Sequence, residues 1–170
     1  MTHEPHDDAV RTRTVTWDDP APGVVAMPSM TGLEYLNQML GGHLPGPPIA
    51  DLMGFTLTSV ATGTATFECL PNESHYNPIG TVHGGLVCTL LDSALGCAVQ
   101  TTLPQGFGYT SIEIKVNYLR PVLATSGLLR CTATVTKPGT RVAFADGVIV
   151  DEAGKTVATA SGSLLVFPLA

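Results

Sequence analysis

The sequence predicts an α+β domain in which a curved antiparallel sheet of about six strands wraps around one long central helix. Three observations carry this expectation. The run from Gly84 to about Thr101 is apolar around most of its circumference, so a helix there is buried on nearly all sides. Two β-rich segments precede it and four follow it, separated by turn residues. The chain has 170 residues and is 44% hydrophobic, which suits a single domain with one core.

Residues 1–28 are polar and broken by proline, with no sustained apolar period, and read as a flexible tail ahead of a domain spanning 29–170. Within the tail, Val15 and Trp17 are expected to form a short extended piece that packs on the body. His3 and His6 are expected to be terminal residues without a structural role. In "TGLEYLNQMLGG", Thr31 and Glu34 form a capping box, Leu33, Leu36 and Leu40 share a face, and Gly41-Gly42 ends the helix. "HLPGPPIA" reads as a linker with His43 solvated, and "DLMGFTLTSV" and "GTATFECL" as a hairpin around "ATGT". A loop then runs to about Val82, followed by the buried helix. In "SIEIKVNY", Ile112, Ile114, Val116 and Tyr118 alternate with polar residues, which predicts a half-buried strand. Strands at roughly 126–137, 140–151 and 155–167 follow, with "KPGT" and "DEAGK" as turns. A sheet of this kind leaves an edge strand and part of the helix uncovered, which a second copy of the chain would cover.

Composition excludes several functions. Net charge is −6 with eight Lys and Arg, so no basic stripe serves nucleic acid. Cys69, Cys88, Cys97 and Cys131 lie in separate apolar segments with no C-x-x-C, the pattern of reduced core thiols in a cytoplasmic protein. No signal-peptide pattern opens the chain. Val82–Leu103 is long and apolar, yet Asp92 at its centre would cost about 2.5–3.5 kcal/mol on insertion, and no Lys or Arg flanks it. No membrane span is expected.

The stretch "HYNPIGTVHGGLVCTLLDSALGC" concentrates the chemistry. Gly84 and Gly85 open the buried helix, whose free N–H groups and partial positive charge suit a developing oxyanion; alternatively they only turn the chain into the helix. Asp92 lies two turns inside, among Leu90, Leu91 and Leu95, so its carboxylate must meet a polar partner or a cavity, as a structural acceptor or as a base or nucleophile. Asn77, before a proline, is a turn former or directs its amide at substrate. His83 orders the loop or transfers protons, and His75 reads as a surface residue. A nucleophilic Ser or Cys has no G-x-S-x-G elbow. Zinc-ligand spacings, a P-loop and a dinucleotide fingerprint are also missing, so no cofactor and no metal are expected.

"NPIGTVHGGLVCTLLDSALG" followed by "YTSIEIKVNYLRPV" resembles the hotdog-fold acyl-CoA thioesterases of the phenylacetic acid degradation (PaaI-like) type. The likeness rests on an Asn six residues before His-Gly-Gly, an Asp nine residues after that His, and the downstream aromatic-x-x-Pro in "YLRP". It covers about residues 45–167, leaving the first helix as an addition. It implies hydrolysis of acyl-CoA, aromatic acyl-CoA included, by a homodimer that pairs into a tetramer. It also implies a role for each motif position. Gly84 N–H would hold the thioester carbonyl, Asp92 would attack it or activate water, and Asn77 would place the reacting groups. A strand hydroxyl, Ser111 with Thr110 as the near alternative, would position water. A hotdog hydratase or dehydratase is disfavoured because no His follows the acid within the helix. A non-catalytic acyl-CoA-binding module would be expected to lose the acid. Lys115, Arg120, Arg130, Lys137 and Arg141 are candidate contacts for CoA phosphates.

Helix geometry adds one expectation. Nine residues turn about 900° and advance about 13 Å, so positions 83 and 92 project half a turn apart. Two such helices side by side and antiparallel would bring the Gly84 end of one to Asp92 of the other. Asn77 and Gly84 would then share a site with the partner's Asp92 and the partner's Ser111.

Overall fold

The computed structural model describes residues 10–169; the expectations for His3 and His6 fall outside them. Helices α1 (Ala21–Ala26), α2 (Gly32–Leu40) and α3 (Pro48–Met53) precede strands β1 (Phe55–Ala61) and β2 (Thr64–Cys69). The long helix α4 (Gly84–Gln100) follows, and then β3 (Phe107–Tyr118), β4 (Leu129–Lys137), β5 (Val142–Val150) and β6 (Thr156–Pro168). The strands form one antiparallel sheet in the order β1-β2-β4-β5-β6-β3.

Helix α4 contacts all six strands, which a flat sheet could not allow; the sheet curls around it. Leu90, Leu91, Leu95 and Val99 are fully buried along its length, each contributing about 1.5–3 kcal/mol of burial. The facing centre of the sheet is built of small residues. A Cβ added at Gly147 would meet the Leu91 side chain at 3.1 Å, and one at Gly162 would meet Leu95 at 3.1 Å. The absence of side chains there seats the two leucines.

Helix α2 has the expected capping box: Thr31 Oγ1 accepts from Glu34 N–H, and Glu34 Oε2 accepts from Thr31 N–H. Gly32 N–H donates to Leu103 O at 3.0 Å, which docks α2 on the chain just beyond α4.

Four features depart from expectation. His75, read as a surface residue, is buried, its Nδ1 accepting from Asn72 N–H at 3.1 Å and its Nε2 lying 3.4 Å from Arg13 Nη1. The segment read as linker and early strand contains α3. Pro48 stands in its first turn, where a missing N–H is harmless, and Gly54 closes it at φ 71°, so β1 starts only at Phe55. The tail 1–28 is not without structure, since α1 lies within it. Arg13 donates to Ser74 Oγ at 3.4 Å and to Asp51 O at 3.3 Å, while Trp17 stays 60% exposed rather than packing on the body.

Finally, β3 is an edge strand, and its alternation is broken by a bulge between Ser111 and Glu113. Ile112 is therefore 57% exposed, while Ile114 and Val116 pack on the core. The bulge has a consequence for the site. Strict alternation would turn Ser111 away from the face carrying Ile114 and Val116. The extra residue returns it to that face, toward α4.

Candidate active site

His83 is the N-cap of α4. Its Nδ1 accepts from Gly85 N–H at 2.8 Å and its carbonyl accepts from Leu86 N–H at 3.0 Å. The ring therefore orders the helix start. Gly84 N–H makes no hydrogen bond among the described residues and remains one of the orphan donors of a helix start. The Gly84 carbonyl accepts from Tyr118 Oη at 3.1 Å, and a Cβ at Gly84 would crowd the Tyr118 ring at 3.1–3.2 Å.

Asn77 is engaged within its own loop. Its Oδ1 accepts from Ile79 and Thr81 N–H, and its Nδ2 donates to Thr81 Oγ1 at 2.9 Å. These bonds fix the loop leading to His83. Gly84, Thr81, Tyr118, Arg120 and Pro121 border a groove of about 290 Å³. Arg120 is the one of the five candidate cations on this groove, and Arg130 is instead paired with Glu68 at 2.8 Å.

Asp92 lies eight residues into α4, about 12 Å from Gly84. It is half-buried, not enclosed, because it opens on a second cavity. Its Oδ1 accepts from Ser111 Oγ at 2.7 Å; Ser111, not Thr110, meets the carboxylate. That cavity, of about 550 Å³, shares no lining residue with the Gly84 groove. Within one chain the structure thus joins Asp92 with Ser111 and groups Asn77, His83 and Gly84, but it keeps the two groups apart.

Burial raises the thiols, Cys88 among them, where Asp92 adds to the effect. Burial pushes Cys97 and Cys131 up to about 12 and Cys69 to about 11. Tyr109 is raised well above its ordinary value, first by burial and then by Cys97 and Asp92 nearby. Its hydroxyl rests on Gly96, where a Cβ would overlap the phenol. Among the described residues no three His, Cys, Asp or Glu side chains gather as metal ligands, and no helix is long and apolar enough to cross a membrane.

The sequence marks Tyr118 as an alternating strand position and as the aromatic of aromatic-x-x-Pro, but gives no sign of its bond to Gly84 or of Tyr109, Tyr35 and Gln100 at the site. The spacing of Tyr109 and Ser111 was the available signal, since residues two apart on a strand share a face.

Residues 79–158 match the family model described as Thioesterase superfamily. Human acyl-coenzyme A thioesterase 13 is 35% identical over 104 residues, spanning 61% of this chain and 73% of that protein. The chain belongs to the thioesterase superfamily. It is a thioester hydrolase by family, and its fold is the hotdog fold. A phenylacetic acid degradation-related protein from Ralstonia eutropha JMP134 superposes with a TM-score of 0.71 at 30% identity, over 77% of this chain and 98% of that one. The E. coli PaaI protein from the phenylacetic acid degradation operon superposes with a TM-score of 0.70 over 83% and 99% of the two chains; at 23% identity this likeness concerns the fold alone.

Proposed function

We propose that this chain hydrolyses acyl-CoA thioesters in sites shared between two copies. The observation that carries the reading is the separation within one chain. The free Gly84 N–H and the Asp92–Ser111 pair lie about 12 Å apart along one helix and open on different depressions. Two antiparallel α4 helices side by side would close that gap. The exposed edge of β3, with Ile112 uncovered, supports a second copy as the partner. Pairing of two dimers into a tetramer follows the family resemblance.

The chemistry divides between the two groups. Gly84 N–H receives the thioester oxygen as it gains negative charge. Ser111 occupies Asp92 Oδ1, leaving Oδ2 to take a proton from water as that water attacks the carbonyl carbon. The C–S bond then breaks, the thiolate leaves, and the proton passes from Asp92 to sulfur, giving the free acid and CoA. Asn77 and His83 position the loop and helix start, and Arg120 stands where a CoA phosphate would find a cation. The catalytic groups all lie within 29–170, the proposed domain. A cytoplasmic location is supported by four cysteines without a disulfide.

The test is thiol release from a panel of aliphatic and aromatic acyl-CoA thioesters by wild type and by Asp92→Asn. Hydrolysis by wild type, with kcat reduced at least 100-fold in a folded Asp92→Asn, is expected. Near-normal turnover by that variant would remove Asp92 from the chemistry, and no turnover by wild type on any substrate would favour a binding module.

A further inference from the structure

The peptide that joins Gly84 to Gly85 is held at both of its polar ends. Its N–H, that of Gly85, donates to His83 Nδ1 at 2.8 Å, and its carbonyl, that of Gly84, accepts from Tyr118 Oη at 3.1 Å. The two glycines match these two contacts. A Cβ on Gly85 would come within 2.9 Å of His83 Nδ1, and one on Gly84 would stand 3.1–3.2 Å from Cζ, Cε1 and Oη of Tyr118. Both rings therefore lie against bare backbone, where a side chain would push them outward. Glycine gives the backbone its widest freedom, and the two rings remove that freedom where the helix begins.

The frame that carries Tyr118 is itself fixed. Tyr118 is the last residue of β3 and stands opposite Ala158 of β6. Beyond it, the N–H groups of Leu119 and Arg120 both donate to Val157 O, at 2.9 and 3.2 Å, and Val122 O accepts from Val82 N–H at 2.9 Å. The exit of β3 is thus tied to β6 and to the residue before His83, so the phenol and the helix start share one scaffold. Partial burial, with Cys88 nearby, raises the phenol above its ordinary range, and it stays protonated and able to donate.

We infer that Tyr118 is a positioning residue for the Gly84 N–H, its ring and hydroxyl together fixing the first peptides of α4 at the groove that Gly84 and Arg120 line. The inference rests on the thioesterase reading above and adds a residue to which that reading gives no role. With the Gly84 carbonyl and the Gly85 N–H both engaged, the Gly84 N–H is the polar group of this link left for a thioester oxygen among the described residues. A donor of this kind lowers the barrier only if it is fixed before the charge develops, and a misplacement of about 1 Å can cost about 100-fold in rate.

The experiment measures kcat and KM by thiol release on the best wild-type substrate of the acyl-CoA panel, with a thermal melt of each variant. Tyr118→Phe keeps the ring and loses the hydrogen bond. Its kcat should fall about 2- to 12-fold, the span of one neutral hydrogen bond, while KM stays within about twofold because the ring still lines the groove. Gly84→Ala keeps the N–H but sets a methyl against the ring, and kcat should fall at least about tenfold. In a Tyr118→Ala background the ring is gone, and the same Gly84→Ala change should cost no more than about threefold. A loss of stability alone would not produce that coupling, and Tyr118→Phe decides the matter by itself if Gly84→Ala does not fold. Equal penalties for Gly84→Ala with and without the Tyr118 ring, or a Tyr118→Phe with wild-type kcat, would overturn the role of Tyr118 alone. No turnover by wild type on any thioester would instead sink the thioesterase reading, and this role with it.

Discussion

Replacing Ser111 with Ala removes one hydroxyl and, with it, the 2.7 Å hydrogen bond to Asp92 Oδ1. A hydrogen bond to an ionised carboxylate is worth about 1.5–3 kcal/mol. At 1.36 kcal/mol per tenfold, its loss corresponds to a kcat about 10- to 150-fold lower if it orients the carboxylate in the transition state. Ser111 lines neither the Gly84 groove nor the Asp92 cavity, so KM should move by no more than a few-fold. Its side chain is exposed in the single chain, so stability should change by less than about 0.5 kcal/mol. The assay is steady-state thiol release with a thermal melt in parallel. Ser111→Thr keeps a hydroxyl and should recover most of the lost kcat. A folded Ser111→Ala with kcat within twofold of wild type, or with a defect in KM alone, would refute the reasoning.

Two further outcomes follow from the same geometry. Gly96→Ala puts a methyl into the Tyr109 phenol, which is packed against the core. Overpacking of this kind costs about 1–3 kcal/mol, so Tm should fall by about 2–12 °C in a melt; an unchanged Tm would mean the ring can move aside. Deleting residues 1–28 removes Arg13, Asp18 and Met27, the last two of which line the Asp92 cavity, but none of the acting groups. The kcat/KM for acyl-CoA thioesters should stay within a few-fold; complete inactivity of a folded truncation would assign the segment a role in the chemistry.

Much of the architecture was legible because it depended on local signals of sufficient length. Helix α4 announces itself over 17 mostly apolar residues, and α2 through Thr31, Glu34 and the terminal glycines. Helix α3 has six residues, less than two turns, so its periodicity is silent. Only its ends, Pro48 and Gly54, marked it, and the apolar content between them reads equally well as strand. The single acid in α4 pointed to Asp92, yet its surroundings could not be read. Ser111 reaches it through a bulge, and no alternation pattern encodes an extra residue. The cavity was likewise hidden, because it forms only when α2, far from α4 in sequence, docks on the end of that helix through Gly32. Edge status hid the exposure of Ile112 and Tyr118, since a strand's position in a sheet is set by long-range pairing.

Sharing of the site between two chains is tested most directly by subunit mixing. Asn77→Ala loses the hydrogen bonds that hold the 77–81 loop, and Asp92→Ala loses the carboxylate, so each variant alone should be inactive. The two are combined in equal amounts after reversible dissociation, and exchange is verified with differently tagged subunits. In a mixed dimer one site regains both groups and the other loses both. Random mixing should therefore restore thioesterase activity approaching a quarter of wild type. Proven exchange with no recovered activity would contradict the account and place each complete site within a single chain.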